Sequence, residues 1–94
     1  MRKYEAMYIF LSNQEEKRVQ VLDRFKGIIE SNNGTIISID EWGTRKLAYL
    51  IDDLAEGYYV LINFEGTAEI VKELDRVARI SDSIMRHMIT REEE

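Results

Sequence analysis

The spacing of apolar residues changes several times along this chain, and the order of those changes restricts the fold more than any other feature. Residues 3–11, KYEAMYIFL, put Tyr4, Ala6, Tyr8 and Phe10 on one side and Lys3, Glu5, Met7 and Ile9 on the other. A two-residue repeat predicts a strand, and two mostly apolar sides predict a central one. Ser12 and Glu15 follow with the spacing of a capping box, and Glu16 adds a carboxylate to the first turn, where the helix dipole favours it. The helix expected there carries Val19, Leu22, Phe25 or Lys26, and Ile29 at helical spacing, with Val21 and Ile28 widening the stripe. Asn32, Asn33 and Gly34 end it.

From Thr35 the chain turns to TIISID and passes through Trp42 and Gly43 into RKLAYLI. This is one long strand, or a strand broken by a bulge at Gly43, the residue that takes bulge geometry at least steric cost. Asp52 to Glu56, closed by Gly57, supplies the turn, and YYVLINF at 58–64 is the next strand. Gly66 and Thr67 punctuate and cap a second helix bearing Ile70, Val71, Leu74, Val77 and Ala78. Ser81, Asp82 and Ser83 break it, and IMRHMIT at 84–90 is the last strand. Strand, helix, strand, strand, helix, strand makes two βαβ halves. Right-handed crossovers are then expected to set the first and third strands side by side and parallel at the centre of a four-stranded antiparallel sheet. Both helices cover one face, which is the ferredoxin-like α+β plan. The other face is left bare, to be solvated or covered by a partner.

Ninety-four residues make one domain, 1–94, ending in an acidic tail at about 91–94. No apolar run approaches the length of a membrane helix, and MRKYEAMY lacks a signal peptide's apolar segment, so a cytoplasmic location is expected. Without cysteine there are no disulfides, thiolate nucleophiles or zinc-finger sites. Asp52 and Asp53 are adjacent and point apart on an extended chain, so they read as a solvated turn rather than a catalytic pair. His87 is the only histidine, with no second ligand to complete a metal site and no partner to make it a catalyst. No glycine-rich phosphate loop or nucleophile elbow is present. These absences predict a protein with no enzymatic activity, metal or cofactor.

The net charge of −5 argues against coating nucleic acid by bulk electrostatics. Cations nevertheless recur at Arg2, Lys3, Arg45, Lys46, Arg86 and Arg91. In the expected sheet Arg2, Lys3 and Tyr4 at the start of the first strand abut Arg91 at the end of the last, while Arg86 enters from the other end. Cations beside aromatics suit phosphate contacts and base stacking. The aromatic signature of the RNA-recognition motif is absent from YYVLINF.

RKYEAMYI at the start, GTRKLAYLI at 43–51, GYY at 57–59 and RISDSIMRHM at 79–88 resemble the bacterial small-subunit ribosomal protein number six family, in order and over almost the whole chain. The resemblance implies a ribosome-bound structural constituent of the translation machinery. It would pair with small-subunit ribosomal protein number eighteen and bind the central domain of the small-subunit ribosomal RNA. Arg2 and Tyr4 fall on the family's N-terminal basic and aromatic positions, Arg45 and Lys46 on the basic pair before Leu-Ala-Tyr, and Arg86 on the fourth-strand arginine. Arg2, Lys3, Tyr4, Arg86, His87 and Arg91 are the RNA-binding candidates, and Trp42, Arg45, Lys46, Tyr59 and Leu61 the partner-binding ones. Trp42 stands where the family has an aliphatic residue. The Trp42–Lys46 cluster either borders a docking surface, with Arg45 meeting a phosphate or a partner acid, or guards a strand end against aggregation. A ligand-sensing ferredoxin-like regulatory domain that dimerises through its sheet is the alternative function, with Ser12, Asn13 and Thr67 as its only pocket-forming polar groups.

Overall fold

The computed structural model describes residues 1–51 and 54–92. Six elements follow one another: β1 (Arg2–Phe10), α1 (Glu15–Ser31), β2 (Thr35–Ile51), β3 (Leu54–Gly66), α2 (Ala68–Ile80) and β4 (Ile84–Arg91). The sheet has four strands in the order β2-β3-β1-β4, with α1 and α2 on one face, as the periodicity implied.

One part of the sequence reading is corrected by the register. β1 and β3 are neighbours at the centre, but they run antiparallel, with Arg2 opposite Gly66 and Phe10 opposite Tyr58. The α1 crossover makes β1 parallel to β2; the β2–β3 hairpin then reverses the chain, so β3 must oppose β1.

The side of β1 carrying Ala6, Tyr8 and Phe10 is fully buried under the helices, joined by Val60, Ile62 and Phe64 of β3 and by Phe25, Ile29, Ile70, Leu74 and Val77 from above. Each of the Val, Leu, Ile and Phe side chains among them contributes about 1.5–3 kcal/mol on burial. Tyr8 stacks on Phe25 with ring centroids 4.6 Å apart.

Three local expectations shift. The Ser12–Glu15 capping box does not form: α1 starts at Glu15 after Gln14, which makes no side-chain cap bond. The Leu11 N–H donates to Ser83 O at 2.8 Å, holding the chain beside the α2–β4 connection, and helix begins only after the intervening turn. On α1 the buried stripe is Arg18, Leu22, Phe25 and Ile29, whereas Val19 is half exposed. Leu54 to Gly57, read as turn, are already strand, because Arg45 and Lys46 pair with Gly57 and Glu56 and carry the hairpin outward. Asp52 and Asp53, the expected turn, and Glu93 and Glu94 of the acidic tail lie outside the described residues.

The remaining boundaries match to within two residues: β1 runs from Arg2 to Phe10, β3 continues through Gly66 and β4 reaches Arg91. Thr67 caps α2 by accepting from the Ile70 N–H at 3.4 Å. Register slips between Glu41 and Gly43, where Gly43 has φ +85°, so the anticipated bulge is real and Trp42 is its extra residue.

Candidate functional site

Strand alternation sorts the side chains between two faces, and the uncovered face is the candidate site. On β1 it receives Lys3, Glu5, Met7 and Ile9; on β3, Tyr59, Leu61, Asn63 and Glu65, which are their register partners. On β4 it receives Arg86, Met88 and Thr90, opposite Ile9, Met7 and Glu5. Lys3, Glu5, Asn63, Glu65 and Thr90 make one end of the face polar, and its middle, built from Met7, Ile9, Tyr59, Leu61 and Met88, is apolar. A groove of about 300 Å³ opens there, lined among others by Met7, Ile9, Leu47, Tyr49, Ile51 and Tyr59, with Arg86 and Met88 at its side. Gly57 helps shape it, since a Cβ at that position would overlap Ile9 Cγ2 and touch Leu47.

At the β2 side the bulge at Gly43 turns Trp42 onto this face. Its ring stacks on Tyr59, with centroids 6.2 Å apart and planes 8° from parallel, and Trp42 remains 45% exposed. Arg45 folds back so that its Nε donates to Trp42 O at 3.3 Å, and Trp42, Arg45 and Tyr59 line one shallow depression. Leu61 lies on the same face, opposite Asp40. Lys46 follows Arg45 on the strand and faces the other way, opposite Glu56. Of the five partner-binding candidates, four share this face and Lys46 does not.

The RNA-binding candidates divide into two groups. Arg2, Lys3, Tyr4 and Arg91 gather at one end of the sheet, where Tyr4 is opposite Arg91 and the Glu92 N–H donates to Lys3 O at 2.9 Å. Within that group Tyr4 belongs to the helix-covered face and stacks on Phe64 at 5.5 Å. Arg86 lies at the far end of the bare face, opposite Ile9, with Nη1 donating to the Tyr49 hydroxyl and Cζ 5.1 Å from the Tyr49 ring centroid. His87 turns the other way, under α2, with Nε2 2.7 Å from Asp75 Oδ1 and its ring stacked near Tyr8.

Sequence reasoning left out Met7, Ile9, Leu47, Tyr49 and Met88, which make the floor. The signal for the first two was present in the apolar odd positions of β1. Tyr49 and Arg86 meet across 37 residues of chain, and no local pattern announces that pairing. Among the described residues no cluster of His, Cys, Asp or Glu is placed to hold a metal ion.

A two-layer α+β protein with a four-stranded antiparallel sheet, two helices on one face and the other face uncovered belongs to the ferredoxin-like class. Comparison with known proteins narrows this. Residues 3–91 match the sequence model of the family described as Ribosomal protein S6. The small ribosomal subunit protein bS6 of Alkaliphilus oremlandii is 56% identical over 92 residues, 97% of each chain. That of Clostridium perfringens is 50% identical over 95 residues and spans both chains completely. The crystal structure of 30S ribosomal protein S6 from Thermotoga maritima superposes with a TM-score of 0.87 at 35% identity, covering 97% of this chain and 87% of that one. The C-terminal domain of the MgtC protein from Mycobacterium tuberculosis, at 11% identity and a TM-score of 0.70 over 100% of this chain and 90% of its own, shares the fold alone. The chain belongs to the ribosomal protein S6 family, and it is a structural, non-enzymatic component of the small ribosomal subunit, located with the ribosome in the cytoplasm.

Proposed function

We propose that the bare sheet face docks small-subunit ribosomal protein number eighteen, and that the two proteins together bind the central domain of the small-subunit ribosomal RNA. The observation that carries this reading is the exposure of the face: Tyr49 at 58% and Met88 at 58% line an apolar groove, and Trp42 at 45% lines the depression that shares Tyr59 with it. Exposed apolar floor with a polar rim is the anatomy of a protein interface. Trp42, Tyr59 and Leu61 supply contact area, and Arg45 beside them meets an acidic or phosphate group at the rim. The whole chain, 1–94, acts in this as one domain.

Arg2, Lys3 and Arg91 at one sheet end, and Arg86 at the other, supply phosphate contacts. With Arg2, Lys3, Arg86 and Arg91 as the candidate cations and Arg45 at the rim, only about four to six phosphates are neutralised by this chain, whose net charge is −5. The partner then brings the remaining positive charge, which makes binding cooperative. Mobility shifts of a central-domain RNA fragment with each protein alone and with both test this directly. Weak retention by this chain alone and tight retention by the pair are expected; equal retention with and without the partner would retire the proposal.

A further inference from the structure

We propose that Asn33–Gly34 is a modification site, at which the Asn33 carboxamide is lost spontaneously through a succinimide, and that the end of α1 restrains the reaction until it opens. The turn after α1 requires both residues for conformational reasons. Asn33 has φ +65°, in the left-handed region that asparagine enters more readily than most side chains. Gly34 is pressed between α1 and β3: a Cβ there would lie 2.8 Å from Ile29 O and 2.9 Å from Glu65 O. Geometry therefore selects the dipeptide in which no side chain on the second residue hinders its own nitrogen from attacking the preceding carboxamide.

In that reaction the Gly34 nitrogen gives its proton to solvent base and bonds to Asn33 Cγ. The Cγ–Nδ2 bond breaks, and Nδ2 takes a proton from water and leaves as ammonia. Water then adds across one of the two ring C–N bonds of the succinimide, leaving an aspartyl or an isoaspartyl residue at position 33. No electrons are exchanged, and solvent supplies everything consumed. Asn33 is exposed, so water and base reach it.

The fold opposes the attack at the nucleophile. The Gly34 N–H donates to Ile29 O at 2.8 Å, and the Asn33 N–H donates to Glu30 O at 3.3 Å. Turning the Gly34 nitrogen toward Cγ breaks the first of these bonds and moves backbone that is wedged against β3, so reaction passes through local opening of the helix end. The isoaspartyl product inserts a methylene into the main chain, and the bond to Ile29 cannot reform in register. Asn32 differs on both counts: its Nδ2 donates to Ile28 O at 2.7 Å, and a residue with a side chain follows it.

The full-length protein is incubated at mildly alkaline pH, native in one arm and unfolded in urea in the other. Peptide mass mapping then locates amide-to-acid conversion, and isoaspartyl methyltransferase labelling reports the rearranged product. Asn33 is expected to convert first in both arms, and roughly tenfold or more slowly in the native one, a ratio equivalent to an opening free energy of at least about 1.4 kcal/mol. Ile29→Val, which loosens the last turn without unfolding the core, is expected to accelerate the native arm only. Equal rates in the two arms, earlier conversion at Asn13, Asn32 or Asn63, or no native acceleration in Ile29→Val would overturn the proposal.

Discussion

The guanidinium of Arg18 sits over the ring of Tyr58, with Cζ 3.6 Å from the centroid, so a cation occupies a place in the buried stripe of α1. Only 8% of Arg18 is exposed, and its Nε is 4.0 Å from Glu41 Oε1, which also accepts from the Tyr58 hydroxyl. Arg18→Ala removes the ring contact and the packing of the side-chain stem and is expected to destabilise the protein by about 1–3 kcal/mol. Arg18→Lys is expected to recover only part of that, because an ammonium lacks the plane that stacks on tyrosine. Urea denaturation midpoints measure both.

Arg45 and Lys46 separate the docking role from a general electrostatic one. Arg45 lies beside Trp42 and Tyr59 on the bare face, and Lys46 faces away. Arg45→Glu is expected to weaken assembly with the partner and RNA by roughly tenfold or more, with Lys46→Glu changing it by a few-fold at most. Titration calorimetry on the two variants, with circular dichroism to confirm the fold, decides it. Equal losses would mean that net charge rather than the bare face sets affinity.

Tyr8 predicts an alkaline response. Burial, reinforced by the Asp75 carboxylate, pushes its hydroxyl far above the ordinary tyrosine range. The folded protein keeps this proton while the unfolded chain releases it above about pH 10. The stability involved is fully present below that pH and is lost as pH rises, by about 1.4 kcal/mol per pH unit. Tyr8→Phe is expected to flatten this slope by one proton. At neutral pH the same change should range from neutral to about 1 kcal/mol stabilising, since the hydroxyl is buried with no hydrogen-bond partner among the described residues. Denaturation at pH 7 and at several alkaline pH values tests both parts.

Two glycines should respond differently to alanine. At Gly34 the added methyl meets two backbone carbonyls that cannot move aside, and a loss of about 3 kcal/mol is expected. At Gly43 there is open space but φ is +85°, so only strain of about 1 kcal/mol is expected. Because Gly43 sets the bulge that presents Trp42, Gly43→Ala should also weaken partner binding more than its small stability loss suggests. Thermal melts alongside the binding titration distinguish the two effects.

Salt dependence reports the cations at the sheet end. Replacing Arg2 and Lys3 with alanine is expected to lower the slope of log affinity against log salt by about 0.7–0.9 for each phosphate left without its cation. An unchanged slope would place the phosphate-binding cations elsewhere on the chain.

The order of periodicities along the chain was enough to define the strands, the helices and the uncovered face, because apolar spacing is a local quantity. The bulge at Gly43 and the cap at Thr67 were legible for the same reason. Val19 falls outside the buried α1 stripe and Arg18 inside it, although hydropathy ranks valine above arginine. In the folded protein a ring on β3, 40 residues away, makes the Arg18 site favourable for a cation. The turn read at Leu54–Gly57 likewise depended on composition, while the hairpin partners Arg45 and Lys46 decided the outcome.

Sequence by itself determined the order of strands and helices and which side of each is apolar, since both follow from neighbours a few residues apart. Tertiary structure alone decided the antiparallel pairing of β1 with β3, the meeting of Arg86 with Tyr49, and the turning of His87 under α2 toward Asp75. Those relations join residues 12 to 64 positions apart, and only chain reversal and sheet register bring them within reach.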